Sequence, residues 1–204
     1  MAKGKETKER ILSAATRIMA NKGYVGAGVD EIMQEAGVGK SSFYHFFPSK
    51  VALGVAVLDE YVQELRTGLM PEIFHNKIRA KERIPAFFSK LAERLHSGSE
   101  DTLLVTWSAE TPFLPEELRN KLLSLITDIR EEFERTFEDA IQEYDLFPEA
   151  PIEELAENTM SYLLGLLVLC RAYDSPSLLR EKANSVKNLW REYTLDEKPA
   201  HRKL

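Results

Sequence analysis

Residues 35–50 read EAGVGKSSFYHFFPSK. Two glycines, two lysines, three serines, a histidine and four aromatics share sixteen positions. Helical phase sorts them. From Lys40 to Phe47, Phe43 and Phe47 lie one above the other at i, i+4 with Phe46 beside them, while Lys40, Ser41, Tyr44 and His45 fall on the opposite side. Gly37 supplies the left-handed backbone that a tight inter-helix turn requires, Val38 reaches back to the core, and Pro48 stops the helix. The stretch therefore reads as a short amphipathic helix with phenylalanines inward and polar and phenolic groups outward.

Working outward, nearly every segment carries helical periodicity, and period-two clusters of β-branched and aromatic residues are missing. Ile11, Leu12, Ala15, Ile18 and Met19 define one face of a first helix that ends near Gly23. Val29, Ile32, Met33 and Ala36 stripe a second, short helix. After the third, a long fourth helix is expected from Ser49, whose side chain suits a cap, to about Met70. Beyond Pro71, further helices are expected over Glu82–His96 with Pro85 in the first turn, Leu103–Ala109, and Pro115–Tyr144. Two more should run over Pro151–Tyr173 and from Asp174 or Ser175 to about Tyr193, with a frayed polar tail after that. The fold class is all-α, with a three-helix head over residues 1–48 and a helical body over 49–204.

Composition narrows the function. Hydrophobic residues make up 44% and charged residues 29% of 204, as in ordinary globular proteins. The longest apolar run, Tyr162–Cys170, is nine residues, against about 20 for a membrane span. The N-terminus has no secretory apolar core, and the lone Cys170 fits a reducing compartment, so a cytoplasmic protein without membrane contact is expected. His45, His75, His96 and His201 are scattered without metal-ligand spacing, and HExxH, GxSxG and phosphate-binding glycine loops are missing. No enzyme, metal or cofactor is expected. Residues 1–50 carry eight basic and five acidic side chains, net +3, and the remaining 154 carry net −9. A basic head on an acidic body suits a polyanionic partner, although chance variation of a solvated surface gives the same balance.

Two short helices joined by a glycine turn form a helix-turn-helix when the second enters the DNA major groove; a generic three-helix bundle has the same outline. The stretch RILSAATRIMANKGYVGAGVDEIMQEAGVGKSSFYHFFPSKVAL resembles the DNA-binding head of TetR-type transcriptional regulators, motif by motif, over residues 7–58. The resemblance implies that Lys40, Ser41, Ser42, Tyr44 and His45 face the groove, with Tyr44 and Lys50 on phosphates. The others would approach base edges or nearby phosphates. Gly28 and Gly39 depart from the family pattern, which usually has hydroxyl residues at these two helix starts.

In the body, Leu163, Leu166, Leu167 and Cys170, with Val186, Leu189 and Trp190 on the final helix, make apolar faces broad enough for a four-helix homodimer interface. Burial within one chain is the competing reading. The resemblance implies a ligand pocket as well, and Phe88, Trp107, Phe113 and Tyr162 are its candidate lining for an apolar or aromatic molecule. The expected function is a ligand-responsive repressor that binds a palindromic operator in double-stranded DNA as a homodimer and is released by a small-molecule effector. The alternative is a helical ligand carrier or interaction module with a vestigial head.

Overall fold

A computed structural model describes residues 2–75, 77–96 and 102–195. Its helices are α1 (Ala2–Gly26), α2 (Val29–Ala36), α3 (Lys40–Phe46), α4 (Lys50–Glu64), α5 (Met70–Phe74), α6 (Ala80–His96), α7 (Thr102–Ala109), α8 (Glu116–Gln142), α9 (Ile152–Ala172) and α10 (Ser177–Lys182). No strand occurs among the described residues, only an isolated bridge between Leu146 and Thr194. Contacts group the chain into two compact units, Met1–Leu65 with Gly98–Leu125, and Arg66–Ser97 with Ile126–Leu204. The first unit therefore takes α4, α7 and the start of α8 in with the three-helix head.

In this first unit, Ile11, Ala15 and Met19 of α1, Ile32 of α2, Phe43 of α3 and Leu53 of α4 are buried. Their spacing is the apolar pattern expected from the sequence. Ion pairs of Arg17 with Glu35 (2.7 Å) and Lys22 with Glu31 (2.6 Å) brace α1 against α2 at the surface. Ser49 caps α4, its hydroxyl accepting from the Ala52 N–H at 3.0 Å. Within α1, Gly23 takes φ 79°, ψ 169°, so the helix kinks there and continues to Gly26.

The second unit is built on aromatic packing. Phe74, Phe87 and Phe133 form a triangle with ring centroids 5.3–6.1 Å apart, and Phe137 meets Trp190 edge-on at 5.1 Å. A π-helical turn over Leu65–Leu69 precedes α5, whose second residue is Pro71. Proline lacks the N–H for a bond to residue 67 and its ring crowds that carbonyl, which explains the widening.

Several boundaries differ from expectation: α4 ends at Glu64, short of Met70, and α10 starts at Ser177 behind Pro176. α6 starts at Ala80 instead of Glu82, because the Glu143 carboxylate accepts the Ala80 N–H at 3.1 Å and caps the helix from a distance. The final helix stops at Lys182 and gives way to 3-10 turns over Asn184–Leu189 and Arg191–Tyr193. Asn184, Ser185 and Val186 are weak helix formers in succession. The fraying expected from Thr194 is not seen at Thr194 and Leu195, which pair with Leu146 and Asp145; residues 196–204 lie outside the described residues.

Candidate nucleic-acid interface

The turn that aims α3 is set by Gly37. At φ 61°, ψ 43° its N–H donates to Gln34 O (3.1 Å), and the Val38 N–H donates to Met33 O (3.0 Å). These bonds satisfy the carbonyls left open at the end of α2 and turn the chain directly into α3. Phe43 and Phe47 then anchor α3 in the core, with ring centroids 6.3 Å apart. Phe46 is half-buried and meets His45 edge-on at 4.9 Å.

Opposite this anchor, Lys40, Ser41 and His45 are exposed and Ser42 is half-buried. Tyr44 leans edge-on against Phe43 at 5.2 Å and remains 43% exposed. Such a buried aromatic neighbour limits the freedom of the tyrosine ring while leaving a large part of it at the surface. Five of the six expected DNA-facing residues thus lie on one short, well-anchored helix.

Lys50 lies elsewhere. Its ammonium donates to Val25 O at 3.2 Å and sits 4.7 Å from the centre of the Tyr24 ring. Burial lowers its pKa below the ordinary lysine value, and the Glu110 carboxylate opposes that shift. The side chain ties α4 to the end of α1, and an ammonium with three donors retains capacity for a phosphate.

Gly28 and Gly39 cap α2 and α3 with ordinary extended backbones and without a side-chain hydrogen bond (φ −83° and −81°). A Cβ at Gly39 would meet nothing within 4 Å. Neither conformation requires glycine.

A constellation that sequence reasoning missed lies at the end of α1. Trp107 of α7 is fully buried, its indole N–H donating to Met19 O at 3.3 Å and its ring edge-on to Tyr24 at 5.7 Å. The Thr106 hydroxyl donates to Ala20 O at 3.2 Å, and Glu110 accepts the Val25 N–H at 3.2 Å. Glu110 also occupies the space above Gly23, where any Cβ would collide with the carboxylate. α7 is thereby locked onto the last turns of α1.

Among the residues expected to line a ligand pocket, Phe88 and Tyr162 stack in the second unit with ring centroids 6.1 Å apart. Trp107 belongs to the first unit, committed to α1 as described. Phe113 lies there on a 3-10 turn and is 75% exposed. Most residues expected at a dimer interface are packed within the single chain. Leu163, Leu166, Leu167, Cys170, Val186 and Trp190 are buried in the single chain and Leu189 is half-buried. α10 and the 3-10 turn pack against α9 and use this apolar face as core. The large apolar residues exposed on α9 are Val168 (51%) and Leu169 (40%), and Tyr173 (68%) follows at its C-cap. They follow Gly165, where an added Cβ would stand in open space.

Such a head, a turn glycine feeding a short anchored helix with a polar outer face, is that of a helix-turn-helix DNA-binding regulator. Comparisons with known proteins define the family. Residues 11–57 match the family model for bacterial regulatory proteins of the tetR family, and residues 80–186 match that for the tetracyclin repressor-like C-terminal domain. The chain belongs to the tetR family. The transcriptional repressor NemR of Escherichia coli K12 is 29% identical over 119 residues, covering 57% of this chain and 60% of NemR. The transcriptional activator FasR of Mycolicibacterium smegmatis is 36% identical over 86 residues, covering 41% and 39%. The chain's matches thus span about 60% or less of these two relatives' lengths. A TetR-family regulator from Agrobacterium tumefaciens has the same fold, with a TM-score of 0.83 at 20% identity over 94% of this chain and 99% of that one. No described helix is long and apolar enough to cross a membrane.

Proposed function

We propose that the chain is a ligand-responsive transcriptional repressor that reads a palindromic operator as a homodimer. The observation that carries this reading is α3: its two buried phenylalanines fix a helix whose outer face holds Lys40, Ser41, Tyr44 and His45. In this reading Tyr44 holds a phosphate, and Lys40 and Ser41 approach base edges, so affinity and sequence choice reside in different side chains. Lys50 adds charge at the edge of the face. Two copies would pair through the exposed Val168 and Leu169 of α9 and Tyr173 at its C-cap. A dimer would offer one α3 helix to each half of a palindromic operator.

The effector class is a small apolar or aromatic molecule, and Phe88 and Tyr162, stacked with centroids 6.1 Å apart, are the candidate contacts. Because Trp107, Thr106 and Glu110 fasten α7 to α1, an effector that displaces α7 would move the end of α1 with it. This is the two-state coupling that release from DNA requires. Repression is favoured by the relation to NemR, and a promoter fusion would separate it from activation.

The test is selection of bound sequences from a random DNA pool, followed by a salt titration on the selected site. A regulator yields a palindrome and loses affinity steeply with salt. Tyr44→Phe should then weaken binding to all sequences alike, and Lys40 or Ser41 substitutions should alter the preferred bases. Weak binding indifferent to sequence would instead identify a carrier whose head, with two helix caps lacking hydroxyls, has lost DNA recognition.

A further inference from the structure

The basic side chains of the head fall into two groups. Lys5 pairs with Glu9 (3.8 Å), Arg17 with Glu35 (2.7 Å) and Lys22 with Glu31 (2.6 Å), so carboxylates meet these three charges at the surface. Lys50 is tied to Val25 O and the Tyr24 ring. Lys8, Arg10 and Lys40 are exposed and make no ion pair among the described residues. Glu6 and Asp30 are the acids left over in this stretch, and neither lies within ion-pair distance of Lys8 or Arg10.

Two of these three unpaired cations lie outside α3 and mark its two ends. The Arg10 guanidinium stands beside the turn that precedes α3, its Nη1 3.9 Å from where a Cβ on Gly37 would lie. The Lys8 ammonium sits 5.9 Å from the centre of the ring of Phe47, the C-cap of α3. The start of α1 rests against the same end of α3, since a Cβ on Gly4 would lie 3.9 Å from Phe46 Cζ. Two residues apart on a helix, Lys8 and Arg10 point about 200° apart around its axis, one on each flank of the buried Ile11. A seven-residue helix such as α3 is about 10 Å long, and the major groove is about 12 Å wide. Both ends of such a helix lie within a long side chain's reach of a phosphate strand. An ammonium and a guanidinium without a carboxylate partner can take phosphate oxygens through charge-assisted hydrogen bonds.

We propose that the first turns of α1 belong to the DNA interface. Arg10 and Lys8 each hold a backbone phosphate, one at each end of α3, and so fix the position of the recognition helix without reading bases. The inference rests on the DNA-binding reading above and extends it to a helix outside the helix-turn-helix. Arg17 and Lys22, on the same α1 but already matched by carboxylates, take no part.

The test is fluorescence anisotropy of the full chain on the selected operator and on a random duplex, between about 50 and 200 mM salt. Lys8→Met and Arg10→Met should each lower the slope of log K against log salt by about 0.9 for each bound chain. Each should also weaken binding about fivefold or more at about 0.1 M salt, on both duplexes alike. Methionine keeps an apolar stem in place, so thermal midpoints should match wild type. Lys8→Arg and Arg10→Lys should keep the wild-type slope. Arg17→Met and Lys22→Met remove the same charge from ion-paired positions and should leave the slope close to wild type. A wild-type slope in either Lys8→Met or Arg10→Met would overturn the proposal. So would a drop no larger than in Arg17→Met and Lys22→Met, or a change in the preferred bases. If an operator is selected and the slopes do not move, this inference alone falls. If no operator is selected, the repressor reading falls, while the slopes on the random duplex still decide the phosphate contacts. Binding to neither duplex would overturn both.

Discussion

Replacing Gly39 with serine should stabilise the protein and strengthen DNA binding without changing the preferred sequence. Gly39 caps α3 at φ −81°, ψ 162°, a conformation open to any residue, and a Cβ there meets no atom within 4 Å. The added side chain therefore brings no strain. It brings two gains. A serine hydroxyl at the cap accepts from the free Ser41 or Ser42 N–H, as Ser49 already does from Ala52 at 3.0 Å in α4, which over glycine is worth a few tenths of a kcal/mol. Removing glycine also reduces the freedom of the unfolded chain, by about 0.4–1 kcal/mol. The sum is about 0.6–1.4 kcal/mol, or roughly 1–6 °C in the thermal midpoint for a chain of this size. Gly39→Ala gains the entropy but loses cap quality, so it should fall about 1 kcal/mol below the serine variant. Thermal and urea unfolding followed by circular dichroism measure both differences, and fluorescence anisotropy on the selected operator measures affinity. A serine variant less stable than wild type, or no more stable than the alanine variant, would refute the reading of Gly39 as an unstrained cap.

Gly37→Ala should act in the opposite direction, costing about 1–2 kcal/mol, since φ 61° forces a Cβ into the left-handed region; urea unfolding checks it, and a neutral result would mean that the turn relaxes. Leu169→Glu places a charge on the exposed ridge of α9 and should leave the fold within about 0.5 kcal/mol of wild type while lowering the dimer fraction. Sedimentation velocity reads that fraction, and an unchanged dimer would rule out this ridge as the interface. Cys170 is buried, and burial pushes its thiol pKa above the ordinary 9.0. It should react with a disulfide reagent roughly tenfold or more slowly in the folded chain than in denaturant. The unfolded thiol ionises first, so the unfolded state holds fewer protons as pH rises past 9.0. The stability gained by keeping the thiol protonated is present below that pH and is lost above it.

The head was legible because its determinants are local. The i, i+4 pairing of Phe43 with Phe47, the left-handed glycine at position 37 and the serine cap at 49 each depend on residues within a turn or two, and each has its expected place. The helix boundaries that moved depend on remote groups. Ala80 starts α6 because a carboxylate 63 residues away accepts its N–H, and no window of sequence around Ala80 contains that cap. Gly23 was recognisable as a helix-ending glycine. That it also leaves room for Glu110, a residue from the other end of the same compact unit, was not.

The apolar breadth of α9 shows why a helical face is harder to assign than a helix. Residues 162–170 carry more apolar surface than a lone surface helix can expose, and period alone requires a partner on more than one side. It does not say which partner. Here α10 and the 3-10 turn pack against α9, whose Leu163, Leu167 and Cys170 are buried, while Val168 and Leu169 stay exposed. The distinction turns on where the chain returns after Tyr173, where Pro176 and then the weak formers at 184–186 bend it into short pieces. A continuous final helix would have presented one straight stripe to a symmetry mate. The broken one wraps its own neighbour instead, and Trp190 meets Phe137 within the chain.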